Sequence, residues 1–90
     1  MQKLEIVISG RVQGVGFRYY TKQKAELYNI HGYVKNLSTG KVMVMAYGDS
    51  GNMEFFLQAL KNGPSYSLVE KVTTSPVKHS KEYNEFKIAF

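Results

Sequence analysis

The sequence predicts an α+β fold of the ferredoxin-like β-α-β-β-α-β kind, an antiparallel sheet with two helices on one face and a short C-terminal strand. Three observations predict it. Two segments carry helical apolar periodicity, period-two alternation flanks each of them, and glycine-bearing breaks mark where one period gives way to the other.

Leu4, Ile6 and Ile8 alternate with Glu5, Val7 and Ser9, so the first strand buries one face. Residues 10–16, G-R-V-Q-G-V-G, then interrupt the alternation. Phe17, Thr21, Ala25 and Tyr28 share one face of a helix of about three turns. Residues 29–32 end it, and residues 33–37 and 41–47 read as two strands joined at Ser38-Thr39-Gly40. In the second of these, Val42, Val44 and Ala46 share one face and Met43, Met45 and Tyr47 the other. Both faces are apolar, which places this strand in the middle of the sheet. Residues 48–52 offer a helix N-cap, and Met53, Phe56, Leu57 and Leu60 recur at i, i+3, i+4 and i+7 until Asn62-Gly63-Pro64 stops the helix. A strand at 67–74, a polar loop at 76–83 and a last strand at 85–90 complete the chain.

Ninety residues make one domain, 1–90, with 43% apolar and 13% aromatic residues, enough for a packed core. Cysteine is absent, which removes disulfides and thiolate chemistry. His31 and His79 lie far apart, no acidic cluster has ligand spacing, and neither a metal nor another cofactor is expected. No signal-peptide core and no apolar stretch of spanning length follows Met1, so the expected location is the cytoplasm, with no membrane partner. Twelve basic residues against seven acidic give a net charge of +5, a field that favours anions. The basic residues are scattered rather than blocked, as on a solvated surface.

Gly10, Gly14 and Gly16 stand between a strand and a helix N-terminus, where unpaired N–H groups and the positive end of the helix dipole meet anions. The pattern is neither a Walker A loop nor G-x-G-x-x-G, and the glycines alone are equally consistent with a tight turn. Arg18 shifts the balance. A cation in the first helical turn is unfavourable unless an anion compensates it.

Gly14-Val15-Gly16-Phe17-Arg18, preceded by Gly10-Arg11-Val12-Gln13, together with Gly32-Tyr33-Val34-Lys35-Asn36, resembles the signature pair of the acylphosphatase family. The resemblance covers essentially the whole chain, including Gly40, Gly48, Gly63-Pro64, Val69-Glu70 and Phe86. It implies hydrolysis of acyl phosphates to a carboxylate and inorganic phosphate. It also implies that the backbone amides of Val15, Gly16, Phe17 and Arg18 bind the phosphate, that Arg18 grips its oxygens, and that Asn36 orients the attacking water. Tyr33 where a tryptophan, leucine or phenylalanine is common, Thr39 in place of aspartate, and Ser67-Leu68 in place of Ala-Arg depart from the family pattern. These bear on turn stability and surface charge, not on Arg18 or Asn36.

Elementary chemistry agrees with that implication. An acyl phosphate is an activated anhydride with a good carboxylate leaving group, so catalysis reduces to positioning and charge stabilisation. Arginine suits a bidentate clamp on two phosphoryl oxygens. Asparagine both accepts from and donates to water, leaving the proton to the substrate's own phosphate. By strand parity Asn36 shares a face with Val34; alone, a strand-end asparagine also reads as a turn cap.

His31 is read as a helix-end residue that caps carbonyls or meets solvent, and His79 as exposed. Met43, Met45, Tyr47, Phe55 and Phe56 are read as packing residues. Tyr19 and Tyr20 flank Arg18, with at least one expected to pack. The expected partners are a small-molecule acyl phosphate and inorganic phosphate, as product and inhibitor, acting on a monomer. Two alternatives stand beside this reading: a ferredoxin-like RNA-binding module, and a domain that senses acyl phosphate or phosphate without turnover. Residues 41–47 lack the aromatic signature of RNA-recognition domains, so nucleic acid is not the expected partner.

Overall fold

The apolar alternations and helical stripes fold, in a computed structural model that describes all residues except 79 and 80, into five strands and two helices. They are β1 (Gln2–Arg11), α1 (Phe17–Leu27), β2 (His31–Asn36), β3 (Val42–Gly48), α2 (Ser50–Asn62), β4 (Leu68–Pro76) and β5 (Phe86–Ile88). The sheet order is β4-β1-β3-β2-β5, with β3 in the middle as its two apolar faces require.

β1 is antiparallel to β3 and β4, and β2 is antiparallel to β3. β5 is parallel to β2, so the sheet is mixed rather than antiparallel throughout. The reason is topological. After β4 on one edge, the chain passes to the opposite edge and reverses direction, and the strand waiting there already runs the new way. β5 is also shorter than the alternation predicts, because residues 89 and 90 leave the ladder after Ala89 N–H donates to Val34 O at 2.8 Å.

The core lies between the sheet and the helices. Ile6, Ile8, Val34, Val42, Val44 and Ala46 face Phe17 and Ala25 of α1 and Met53, Phe56 and Leu60 of α2, all buried in one cluster. Each of these large side chains contributes about 1.5–3 kcal/mol by leaving water. On the opposite face Met45 is only 6% exposed although no helix lies over it; its cross-strand neighbours are Glu5 and Tyr33. Asp49 caps α2, its Oδ1 accepting from Asn52 N–H at 2.8 Å, and Gly63 closes the helix.

Two packing expectations change. Phe55 is 62% exposed and stacks on Tyr28 with ring centroids 5.8 Å apart, because Phe56 takes the inward position of α2. His31 is the first residue of β2, and its Nδ1 lies 3.0 Å from the carbonyl of Tyr83 rather than over the end of α1. Tyr28 takes the C-cap position of α1 instead, its N–H donating to Lys24 O at 3.0 Å. The reading of His79 lies outside the described residues.

Candidate active site

Strand direction assembles this site. β1 and β2 both flank β3 and both run antiparallel to it, so their C-terminal ends emerge at the same end of the sheet. The register makes this concrete: Ile8 near the end of β1 and Asn36 at the end of β2 both pair with Val42. Because β5 is parallel to β2, its own C-terminal end arrives there too, with Ile88 beside Val34. The glycine loop after β1, the end of β2 and residues 88–90 therefore converge.

A register shift between Ser9 and Gly10 turns the end of β1 away from the regular ladder with β4. Val12, buried to 1% exposure, then anchors the loop in the core, and Val15 packs against the same cluster. Gly14 and Gly16 take φ 73° and 78°, the left-handed region that side-chain-bearing residues adopt at a cost. A Cβ on either would meet no protein atom within 4 Å, so backbone conformation rather than protein crowding demands glycine here. Gly16 is the N-cap of α1 and offers no side-chain cap, and no acidic residue occupies the first turn. The first-turn N–H groups are thus left to bind something else.

Arg18 sits on that turn. Among the described residues it joins no ion pair. Its Nη1 donates to Ala89 O at 3.3 Å, and its Cζ lies 4.8 Å from the centroid of the Phe90 ring. The guanidinium is held by a carbonyl and an aromatic face, neither of which neutralises it. A cavity of about 210 Å³ brings Arg18 together with Gly14, Gly16, Phe17 and, from β2, Asn36. Asn36 is half-buried on the helix-covered face, as strand parity predicts.

Of the residues singled out from sequence, Gly16, Phe17, Arg18 and Asn36 line this cavity, and Val15 does not; its side chain turns to the core. Phe17 lines it while only 1% exposed. Tyr19 lines the cavity and is 62% exposed, whereas Tyr20 packs on Phe17 and donates its hydroxyl to Ala59 O at 2.8 Å. Burial raises the Tyr20 pKa above its ordinary value, with Tyr28 adding to the effect, so it remains a neutral donor. Sequence reasoning missed Ile88 and Phe90 on the far wall. No local pattern marks them, since their place depends on the parallel docking of β5. A larger cavity of about 450 Å³, beside Tyr33, Tyr83 and Lys87, includes neither Arg18 nor Asn36.

A helix start without a side-chain cap, an arginine that joins no ion pair among the described residues and an asparagine lining the same cavity fit phosphoryl chemistry, and the comparisons with known proteins decide which. The family model for acylphosphatase matches residues 4–88. The chain belongs to the acylphosphatase family. It is 42% identical to the acylphosphatase of Archaeoglobus fulgidus over 90 residues, covering the whole of both chains. The crystal structure of acylphosphatase from Bacillus subtilis superposes with a TM-score of 0.95 at 33% identity, again over the whole of both. The crystal structure of full-length HypF in its phosphate- and nucleotide-bound form matches with a TM-score of 0.90 at 36% identity, over 99% of this chain and 12% of that one. As a member of this family the chain is an enzyme that hydrolyses acyl phosphates, built on the ferredoxin-like fold. Among the described residues no helix is long and apolar enough to cross a membrane.

Proposed function

We propose that the backbone amides of Val15, Gly16, Phe17 and Arg18 hold the phosphoryl group, that the Arg18 guanidinium clamps two of its oxygens, and that Asn36 holds the water that attacks phosphorus. The observation that carries this reading is the meeting of Arg18 and Asn36, from separate elements, across one cavity at the start of α1. Arg18 supplies a planar fork where charge builds on the phosphoryl oxygens. Asn36 accepts one hydrogen bond from water through its carbonyl oxygen and donates another through its amide, fixing the in-line direction. Water adds to phosphorus, the anhydride P–O bond breaks, the carboxylate departs with the electron pair, and the water proton passes to a phosphoryl oxygen.

The mechanism asks nothing of a metal, and the enzyme is read as a cytoplasmic monomer of one domain with inorganic phosphate as competitive inhibitor. The test is steady-state hydrolysis of acetyl phosphate after exhaustive chelation. Undiminished turnover, with competitive inhibition by inorganic phosphate, is expected. Loss of turnover on chelation and its recovery with a divalent ion would overturn the metal-free reading.

A further inference from the structure

We propose that Gln13 is a positioning residue that locks the phosphate loop in register with Asn36. The inference rests on the roles proposed above for the loop and for Asn36. Residues 12–16 lie between the end of β1 and the start of α1, outside both ladders, so tertiary contacts must fix their placement. Val12 anchors the loop from beneath. Gln13 anchors it from the side: its Nε2 donates to Leu37 O and to Lys41 O, both at 2.8 Å.

Those two carbonyls are the base of the β2–β3 hairpin. Leu37 N–H donates to Lys41 O at 2.8 Å and Gly40 N–H to Leu37 O at 3.1 Å, so each carbonyl takes one bond from the hairpin and one from Gln13. The second lone pair of each is thereby used. Because both acceptors are carbonyls, the end of the amide that faces them is the nitrogen. Leu37 directly follows Asn36. One side chain thus bridges the loop that begins the phosphate site and the peptide next to the water-holding residue.

That coupling has a catalytic consequence. The loop amides and Arg18 travel together as one piece of chain and can grip phosphate without reference to β2. In-line attack requires that grip to stand at a fixed distance from Asn36. A misplacement of about 1 Å costs on the order of a hundredfold in rate.

The experiment is a double-mutant cycle between Gln13→Met, which keeps length and volume but removes both donors, and Asn36→Ala. It is read by kcat for acetyl phosphate and by the competitive inhibition constant of inorganic phosphate. Gln13→Met alone is expected to lower kcat by about ten- to a hundredfold while the phosphate constant moves less than about threefold. In the Asn36→Ala background it is expected to cost less than about twofold more, since no placed water remains to be misplaced. If circular dichroism shows Gln13→Met unfolded, Gln13→Asn, which keeps the amide but lacks the reach, replaces it in the same cycle. Multiplicative losses, or a phosphate constant that weakens as much as kcat falls, would show Gln13 supporting the loop alone and overturn the proposal. A wild-type rate for Asn36→Ala by itself would instead overturn the reading of Asn36, and this inference with it.

Discussion

Replacing Asn36 with alanine separates holding substrate from holding water. Asn36 stands at the end of β2 and lines the cavity with the first turn of α1, and it is not part of the buried apolar cluster. Its removal therefore leaves the core and the phosphate loop intact, and the melting temperature should change little. What is lost is one preorganised polar group at the reacting centre, worth about 3–4 kcal/mol in comparable sites. At about 1.4 kcal/mol per tenfold, that is a fall in kcat of two to three orders of magnitude. In the proposed arrangement inorganic phosphate touches the loop and Arg18 only, so its inhibition constant should stay near the wild-type value. The assay is steady-state hydrolysis of acetyl phosphate with phosphate as competitor, on protein checked by circular dichroism and thermal melting. A folded Asn36→Ala enzyme turning over at close to the wild-type rate would refute the assignment, because the water would then be held by another group.

Arg18→Ala should lose phosphate inhibition as well as turnover, and Arg18→Lys should be severely impaired because the charge survives without the planar fork; an active lysine variant would count against a bidentate clamp. Inorganic phosphate should raise the melting temperature more than chloride at equal ionic strength, since an anion that binds only the folded loop stabilises it by mass action. Identical shifts with the two salts would argue against a specific phosphate site. Phe90→Ala should weaken phosphate inhibition a few-fold with an unchanged melting temperature, because the exposed ring lies near the Arg18 guanidinium and outside the core. A destabilised fold would refute that placement.

The periodicities made most of this fold legible. Alternation in β1 and two apolar faces in β3 gave the sheet its layers and its centre, because burial leaves a period in the sequence whenever one face meets a core. The parallel docking of β5 left no such trace. A three-residue strand carries too little alternation to read, and its partner is chosen by where the chain emerges after crossing from the far edge. Phe90 and Ile88 were hidden for that reason. Arg18 was legible as a candidate because it breaks a local rule, a cation at a helix start; Asn36 stood out only through the family resemblance, since alone a strand-end asparagine also reads as a turn cap. Gln13 broke no rule. A glutamine in a polar loop is unremarkable until the hairpin carbonyls come within reach of its amide.

The placement of Arg18 ties the electrostatics of the site to its function. A cation in the first turn of α1 meets the positive end of the helix dipole, which costs about 0.3–1 kcal/mol at an exposed position. No carboxylate among the described residues forms an ion pair with Arg18, whose guanidinium lies 4.8 Å from the centroid of the exposed Phe90 ring. A carboxylate partner would stabilise the folded chain further, but it would also have to be displaced by substrate and would repel the phosphoryl group as it arrived. Carbonyl and ring contacts orient Arg18 without neutralising it. In the proposed arrangement the same dipole and first-turn N–H groups that work against the arginine would add to its attraction for a phosphoryl dianion, so the binding partner would gain from a field that the protein by itself does not satisfy.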